Sequence, residues 1–437
     1  MAEKSKLGGG QAWINWTLGV FFVVFVFTFQ TGYAVTSVGM TKDLSLSVAQ
    51  VGFIGSIYTW AFAIAQFGSG SILDRLGIRW VLPVACVIVT VGGFLFANAT
   101  GPEMLIIGQV LMAVGGSFGF VGAGFVGGRW FAPIKYGFMF CLVQFVASLS
   151  AIAGQMILGK MVEQFPWSTL LNSMAVGGVV LTVVMFVVLR DPVREDAELA
   201  PWEGIRKFLN DLIAAINEVT SIKDSWINSL IGGATFGTML ALGVVWGPKF
   251  LMASGMSQTD AFFTSSIMWA GLAFGAPFFG WLSDKLRKRK LPMAAGCALQ
   301  LLTIIVIISR PGMSPTEANF YFFIWGFMSG GSMLNFPIGA DLVRPALIGT
   351  SAAVVNAVQF IVGGIIMAVP GRVLSGTGLI ARIAEMEGTA KGTVADYQWA
   401  ILVIPLILGI ALILFLFLRE TYPNSEEEPV TAAEPAE

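Results

Sequence analysis

The 437-residue chain contains no histidine, and it is poor in cysteine and in charged residues. Without histidine, the commonest transition-metal ligand and the usual base of Ser-His-Asp and Cys-His catalysis are missing. The three cysteines, Cys86, Cys141 and Cys297, lie in apolar runs without a CxxC pair, so we predict that they are buried small side chains. No GxxxxGK[ST] phosphate loop is present either. The sequence therefore predicts no enzyme, no cofactor, no metal site and no ATP-driven pump.

Charged residues make up 12% of the chain, whereas soluble proteins carry about 25%. Hydrophobic residues make up 56%, and they are gathered in long runs. No basic face with interleaved aromatic residues is visible, which argues against nucleic acid as a partner. The composition instead predicts that the lipid bilayer is the main solvent of this protein.

Twelve apolar runs reach the length of about 20 residues that a helix needs to cross a bilayer. Their hydrophobicity is continuous rather than alternating, which favours helices over a β-barrel. We therefore predict an all-α membrane protein with twelve transmembrane helices. The predicted spans are 14–38, 48–72, 80–98, 104–128, 136–159, 169–189, 225–251, 261–282, 291–309, 319–341, 349–371 and 398–418.

The charges between these runs predict the orientation and the division of the chain. With both termini on one side, 18 of the 25 Lys and Arg residues fall on that side, which by the positive-inside rule is cytoplasmic. The longest charged interruption has apolar residues at helical spacing from Ile205 to Ile216, which predicts an amphipathic helix at the membrane surface. We predict a first six-helix bundle at 1–189, a linker at 190–224, a second six-helix bundle at 225–418, and an acidic disordered tail at 419–437.

The stretch Gly70-Ser71-Ile72-Leu73-Asp74-Arg75-Leu76-Gly77-Ile78-Arg79 lies between the second and third runs, and a weaker copy lies at 280–289. Asp74 and Asp284 are 210 residues apart. Two further pairs, Pro133 with Pro345 and Gly137 with Gly349, are each 212 residues apart. Landmarks at nearly one offset indicate a parallel internal repeat, as in transporters built from two similar halves.

On this motif and the twelve spans, the chain resembles the major facilitator superfamily over nearly its whole length. The resemblance implies secondary transport by alternating access of two six-helix bundles around a central site. It also implies a cytoplasmic gate, in which Asp74, near Arg75 and Arg79, latches helix ends through charge-assisted hydrogen bonds. The implied gating residues are Gly70, Asp74, Arg75, Gly77, Arg79, Gly280, Asp284 and Lys285.

More narrowly, the pieces 130–133 and 275–284 resemble a prokaryotic branch that includes phagosomal amino-acid transporters and siderophore or iron-linked permeases. Many proton-coupled members of the superfamily carry an arginine early in the fourth span, where this chain has Gln109. The Gly-Pro pair of the antiporter signature is also absent from 136–159. Both departures argue against drug/proton antiport.

The central parts of the predicted spans contain no ionisable residue, so no buried carboxylate is visible that would couple protons. Polar uncharged side chains at these depths suit amino acids, carboxylates and hydroxyls. Cations at the outer ends, Lys160, Lys249 and Arg372, are predicted to attract an anion. The predicted substrate-binding residues are Gln30, Tyr33, Gln109, Gln144, Trp246, Lys249, Asn335, Asn356, Gln359 and Arg372.

We therefore predict secondary active or facilitative transport of a small polar solute, either an organic anion or an amino acid. A transporter of siderophores or metal chelates and a membrane scaffold or receptor without transport are the alternatives. The predicted partners are the solute, a coupling ion and the lipid bilayer. The expected location of the monomer is the bacterial inner membrane, with both termini cytoplasmic.

Overall fold

The computed structural model describes residues 8–46, 48–162, 164–191, 204–385 and 392–422. The predicted acidic tail lies outside the described residues from position 423 onward, and so does the linker between 192 and 203. The prediction of an all-α fold with twelve helices in two bundles is confirmed. Four of the twelve passes are interrupted, a detail that continuous hydrophobicity does not predict.

We number the helical passes α1 to α12 in chain order. Eight of them are continuous: α1 Gly10–Asp43, α2 Val48–Leu76, α3 Ile78–Ala97, α5 Tyr136–Met161, α6 Trp167–Val188, α8 Gln258–Leu286, α9 Lys290–Ser309 and α11 Ile348–Leu374.

The other four are interrupted. Two have two segments each: α4 Pro102–Gly116 and Gly119–Trp130, and α12 Val394–Ile401 and Val403–Leu414. In α7, a π-helical turn Ala241–Trp246 separates Lys223–Leu240 from Gly247–Ala253. In α10, a 3-10 turn Gly330–Leu334 separates Pro315–Ser329 from Asn335–Asp341.

Nine helices in the described residues are long and apolar enough to cross a membrane, or ten if the bent α7 is counted as one span. The passes α2 and α10 complete the twelve. We call α1–α6 the first half and α7–α12 the second half. The motif loops, which follow α2 and α8, lie at one end of the bundle, which we call the gate end.

Side-chain caps begin several helices at the opposite end, where backbone N–H groups would otherwise lack partners. Ser314 and Glu317 form a capping box at the start of α10, and Thr393 and Asp396 form another at the start of α12. The hydroxyl of Ser257 accepts a hydrogen bond from the backbone N–H of Asp260 in α8. These short polar motifs fix where the apolar runs enter the bundle.

At the gate end, the two halves use equivalent carboxylates to cap equivalent helices. Asp191, just after α6, accepts a hydrogen bond from the backbone N–H of Ile78 at 2.7 Å, and burial raises the pKa of Asp191 above its usual range. Glu420, just after α12, accepts from the backbone N–H of Arg289 at 2.7 Å, immediately before α9. The repeat seen in the sequence therefore extends to the way in which α3 and α9 begin.

The loop before each of these helices turns through the left-handed region of backbone space. Gly77 has φ +72°, and a Cβ atom there would crowd the carboxylate of Asp191. Arg287, 210 residues later, has φ +51°. A non-glycine residue in this region is strained. The second copy of the motif therefore keeps the left-handed turn although arginine replaces glycine there.

A linker helix, Ile205–Ser221, lies in the segment where the apolar spacing predicts one. Its Ala215 and Val219 pack on Leu347 and Val354 of the second half and on Phe67 of the first. Ion pairs also join it to both halves. They are Asp211 with Arg75 at 3.0 Å and Glu218 with Arg344 at 2.9 Å.

Replacing Arg344 with alanine is expected to lower uptake by less than about fivefold. The side chains of Arg344 and Glu218 are 61% and 48% exposed, and exposed pairs contribute only about 0.2–1 kcal/mol. Initial uptake rates in proteoliposomes measure the effect. Arg310→Ala, which removes a similarly exposed pair with Glu317 at the other end, is the matched control. A complete loss of uptake in Arg344→Ala alone would show that the linker helix itself controls transport.

Candidate functional site

Asp74 joins the two halves at the gate end. Its carboxylate accepts hydrogen bonds from the backbone N–H of Gly349 at 3.0 Å, from the backbone N–H of Thr350 at 2.7 Å, and from the Thr350 hydroxyl at 2.8 Å. The two backbone donors lie in the first turn of α11, where the helix dipole favours a negative charge. The Ser71 and Thr350 hydroxyls are also hydrogen-bonded at 2.8 Å. We call Ser71, Asp74, Gly349 and Thr350 the latch.

The latch depends on close backbone contact between α2 and α11. A Cβ atom at Gly70 would overlap the carbonyl oxygen of Gly349, and the Cβ atom of Ala353 is also too near. Only glycine at position 70 therefore permits the distance at which Asp74 reaches Gly349 and Thr350. Gly70 is therefore required because the two helix backbones approach closely, and not because the chain adopts a conformation that favours glycine.

Arg75 and Arg79, which the sequence predicts to lie near Asp74, have other partners in the structure. Arg75 pairs with Asp211 of the linker helix, and the Arg79 guanidinium lies 5.3 Å from the ring centre of Trp80. The cation that lies beside Asp74 is Arg129 at the end of α4, whose Nη2 is 3.5 Å from Asp74 Oδ1. A cation at the end of a glycine-rich apolar run is unusual, and this feature of the sequence could have identified Arg129 as a gate residue.

The second copy of the motif is neutralised within its own half. Arg289 is 1% exposed and lies 3.3 Å from carboxylate oxygens of both Asp284 and Asp341. Lys285 instead lies over the Trp281 ring, 4.9 Å from its centre. Arg289 corresponds to Arg79 at the offset of 210, but it is buried whereas Arg79 is exposed.

This second copy faces the start of α5, as the latch faces the start of α11. A Cβ atom at Gly280 would lie 3.0 Å from Cys141 Sγ and 3.5 Å from the Cα atom of Phe138, so the backbones are farther apart here than at Gly70. A Cβ atom at Gly137 would lie 2.9 Å from Arg289 Nη1, and one at Gly349 would lie 2.9 Å from Asp74 Oδ1. The two equivalent helix starts therefore face groups of opposite charge.

A cleft lies between the two halves. Its lining includes four of the predicted substrate-binding residues, two from the first half (Gln30 and Gln144) and two from the second (Asn356 and Gln359). The cleft encloses about 450 Å³ of space between atoms, part of it open to solvent, but the centre of a water-sized sphere fits in only about 20 Å³. Its side chains must therefore move apart to admit a solute.

The amides of the cleft differ in how they are bonded. The Asn356 Nδ2 group donates to Gln66 Oε1 across the two halves at 2.9 Å, and Gln144 Nε2 donates to the Ser148 hydroxyl at 2.9 Å. The Gln359 Nε2 group is buried and has no hydrogen-bond partner among the residues that the structure describes. A buried donor without a partner is costly, and a solute acceptor in the cleft would relieve that cost.

The structure places the other six predicted residues outside the cleft lining. Trp246 donates from Nε1 to the Met367 carbonyl at 2.9 Å, and Lys249 lies over the Trp246 ring at 4.7 Å. The remaining four differ in burial: Asn335 and Gln109 are buried, Tyr33 is partly buried against Phe96, and Arg372 is exposed near the end of α11. The side chain of Lys160 lies outside the described residues, so the predicted outer cluster of three cations stays a prediction.

Phenylalanine rings complete the cleft, and sequence reasoning missed them. Phe62 and Phe360, from opposite halves, have ring centres 4.8 Å apart, and Phe236 lies 6.3 Å from Phe360. Phe27 and Phe120 also line the space. With 35 phenylalanines in the chain, mostly in apolar runs, no sequence signal distinguishes these five.

Comparison with known proteins agrees with this architecture. The chain is 24% identical to the uncharacterized transporter YybO of Bacillus subtilis, over 80% of this chain and 79% of that one. It is 22% identical to the probable galactarate/D-glucarate transporter GudP of Escherichia coli, over 95% of each chain. A crystal structure of the E. coli fucose:proton symporter FucP matches with a TM-score of 0.66 at 14% identity, covering 93% of this chain and 99% of that chain.

The family model described as Major Facilitator Superfamily matches residues 18–368, which is most of the chain. Its members and the relatives above are transporters rather than enzymes. The twelve-helix fold, the motif loops at the gate end and this match agree, and the chain belongs to the Major Facilitator Superfamily.

Proposed function

We propose that this protein carries a small hydroxyl-rich solute across the membrane by alternating access. The observation that carries the proposal is the cleft, in which amides from both halves face one space above a closed latch. A solute held between the halves would be released to the gate end when the latch opens. The 18-to-7 distribution of Lys and Arg supports a cytoplasmic gate end, and we propose a monomer in a bacterial inner membrane.

A neutral, sugar-like solute fits the cleft best. Amide groups donate to and accept from hydroxyls, and the phenylalanine rings offer apolar surface to the C–H faces of the solute. In the described part of the chain, no charged residue lines the cleft. Burying an unpaired charge in such a site costs several kcal/mol, which disfavours a dianion and also a zwitterionic amino acid.

A hydroxylated organic anion is the second candidate, and two observations favour it. GudP, which is similar over 95% of the chain, is named as a probable transporter of galactarate and D-glucarate. Lys249 and Arg372 are exposed towards the end opposite the gate, where they would attract an anion. A siderophore or iron chelate is less suited, because it is larger and carries charge that no residue lining the cleft in the described part of the chain would pair.

Uptake into proteoliposomes distinguishes these classes. Radiolabelled hexose, hexarate, amino acid and ferric citrate are supplied at equal concentration, and each is also used as an unlabelled competitor. We expect saturable uptake of the hexose, with little competition from the amino acid or the ferric citrate. Uptake of the hexarate alone would show that the substrate is an organic anion and not a neutral sugar. Uptake of none of the four would overturn the proposed substrate class.

Replacing Gln359 with alanine is expected to raise the half-saturation concentration about tenfold with little change in maximal rate. The Nε2 group has no partner among the described residues, so its hydrogen bond would form with the solute. A bond of about 1–1.5 kcal/mol corresponds to about a tenfold change in affinity. The matched control is Gln398→Ala, since Gln398 donates to the Ile308 carbonyl outside the cleft. An unchanged half-saturation in Gln359→Ala would assign this amide to packing.

A further inference from the structure

The interruption of α10 and the facing part of α7 contain buried oxygen atoms without hydrogen-bond partners among the described residues. The first segment of α10 ends at Ser329, the 3-10 turn Gly330–Leu334 follows, and the helix resumes at Asn335. Ser332, Asn335 and the facing Asn228 of α7 are each at most 2% exposed. Within the described residues, the Ser332 hydroxyl oxygen and the Oδ1 atoms of Asn228 and Asn335 are buried without a hydrogen-bond partner. We call these three residues the oxygen cluster.

Hydrogen bonds hold the oxygen cluster together and fix the direction of its amides. Asn228 Nδ2 donates to the Asn335 carbonyl at 2.8 Å, and Asn335 Nδ2 donates to the Ser332 carbonyl at 3.0 Å. Both amide nitrogens therefore have acceptors, and turning either amide over would place its oxygen against a carbonyl oxygen. The unpaired atoms of Asn228 and Asn335 are consequently acceptors.

Unpaired acceptors at this depth need a partner, either a hydrogen-bond donor such as water or a cation. A buried oxygen without a partner is costly, and such atoms in native proteins point to a bound water or ion. The carboxyl end of the first segment of α10, at Ser329, carries the negative end of its helix dipole beside the turn. Neutral oxygens and a partial negative charge suit a monovalent cation, because a divalent ion would require carboxylates to offset its greater desolvation.

We propose that the oxygen cluster binds a monovalent alkali cation, with Na⁺ as the ion to test. Interrupted membrane helices whose unwound carbonyls hold Na⁺ recur in secondary transporters. The cluster also adjoins the cleft, since a Cβ atom at Gly232 would lie 2.7 Å from both Asn335 Nδ2 and Gln359 Nε2. Occupancy of the cluster would therefore order the amides next to the solute. The sequence predicts no metal site because histidine is absent and the spans have no central carboxylate, whereas the oxygen cluster consists of neutral side chains.

Thermal unfolding of the purified full-length protein tests the site without any solute. Midpoints are measured in NaCl, KCl and choline chloride at equal ionic strength, since an ion that binds the folded state raises the midpoint. We expect a rise with Na⁺ that saturates with concentration. Ser332→Ala, which leaves both cluster hydrogen bonds in place, should weaken the apparent Na⁺ affinity at least tenfold, and Asn228→Ala should abolish the response.

Gln300→Ala is the matched control, because Gln300 is a buried amide of α9 whose oxygen is also unpaired among the described residues. It should keep the full response to Na⁺. Equal midpoints in Na⁺, K⁺ and choline would overturn the proposal and leave water as the partner of these oxygens. An unchanged Na⁺ response in Ser332→Ala would overturn it as well, and this variant decides the matter if Asn228→Ala does not fold. Neither result depends on which solute is transported.

Discussion

Replacing Gly70 with alanine is expected to lower uptake about a hundredfold while the protein remains folded. The added methyl group would overlap the Gly349 carbonyl and approach Ala353, so α2 and α11 could not meet at the latch. Overpacking costs about 1–3 kcal/mol where side chains can adjust. Here the obstacle is backbone, so we expect the upper end of this range, which corresponds to about a hundredfold change in the population of the closed gate.

Gly68→Ala is a close control for this variant. Gly68 lies in the same helix, and a Cβ atom there would meet nothing within 4 Å in the described part of the chain. A cysteine pair replacing Ser71 and Thr350, whose hydroxyls are 2.8 Å apart, reports on gate closure by cross-linking. The cross-link should form in the Gly68→Ala background and be lost in the Gly70→Ala background. Equal cross-linking and equal uptake in both backgrounds would contradict the role assigned to this contact.

Replacing Asp74 with asparagine is expected to slow uptake by about tenfold to a hundredfold without loss of expression. The neutral amide keeps the size of the side chain but loses the charge that receives three hydrogen bonds from Gly349 and Thr350. Hydrogen bonds to a charged group contribute about 1.5–3 kcal/mol each. The loss should shift the equilibrium away from the closed gate, which initial uptake rates and the same cysteine cross-link measure.

Asp191→Asn separates this effect from a general loss of stability. Asp191 is also a carboxylate at the gate end, but its backbone partners, Ile78 and Arg79, belong to the same half. Losing a helix cap costs about 1 kcal/mol of stability. Asp191→Asn should therefore lower the unfolding midpoint while uptake per folded molecule is kept. A normal uptake rate in Asp74→Asn would show that the latch does not limit transport.

Much of the fold could be predicted because apolar length is a local property of the chain. Each of the twelve predicted spans coincides with a helical pass, since a run of about 20 apolar residues has few alternatives in a bilayer. The interruptions could not be predicted in this way. The turn in α10 begins with a glycine pair, but the pair Gly92-Gly93 lies in the unbroken α3. A Cβ atom at Gly330 would overlap the backbone of Gly275 in α8, but Gly275 itself lies in an unbroken helix and is as closely packed, so close approach does not identify the break either.

The residues of the site could be predicted only where a polar side chain lies in an apolar span, because burying it there costs free energy. Six amides were predicted because burying an amide in an apolar span is costly without a partner, and the structure places four of them at the cleft: Gln30, Gln144, Asn356 and Gln359. The same reasoning selected Gln109, Asn335 and Trp246, which lie outside the cleft lining. The pairing of Asp74 with Arg129 crosses 55 positions, and only the packing of α2 beside α4 brings the two together. Contact with the solute remains a prediction for every one of these residues.

The two contacts between the halves at the gate end differ in what parting them exposes. Along α2 and α11, the carboxylate of Asp74 is bonded to backbone N–H groups of the other half, whereas Arg289, beside the start of α5, pairs with Asp284 and Asp341 of its own half. Parting α2 from α11 would therefore leave a carboxylate and the first turn of a helix to be hydrated, while parting α5 from α8 would leave the ion pairs of Arg289 intact. Water entering the open gate would thus replace protein partners on the Asp74 side alone.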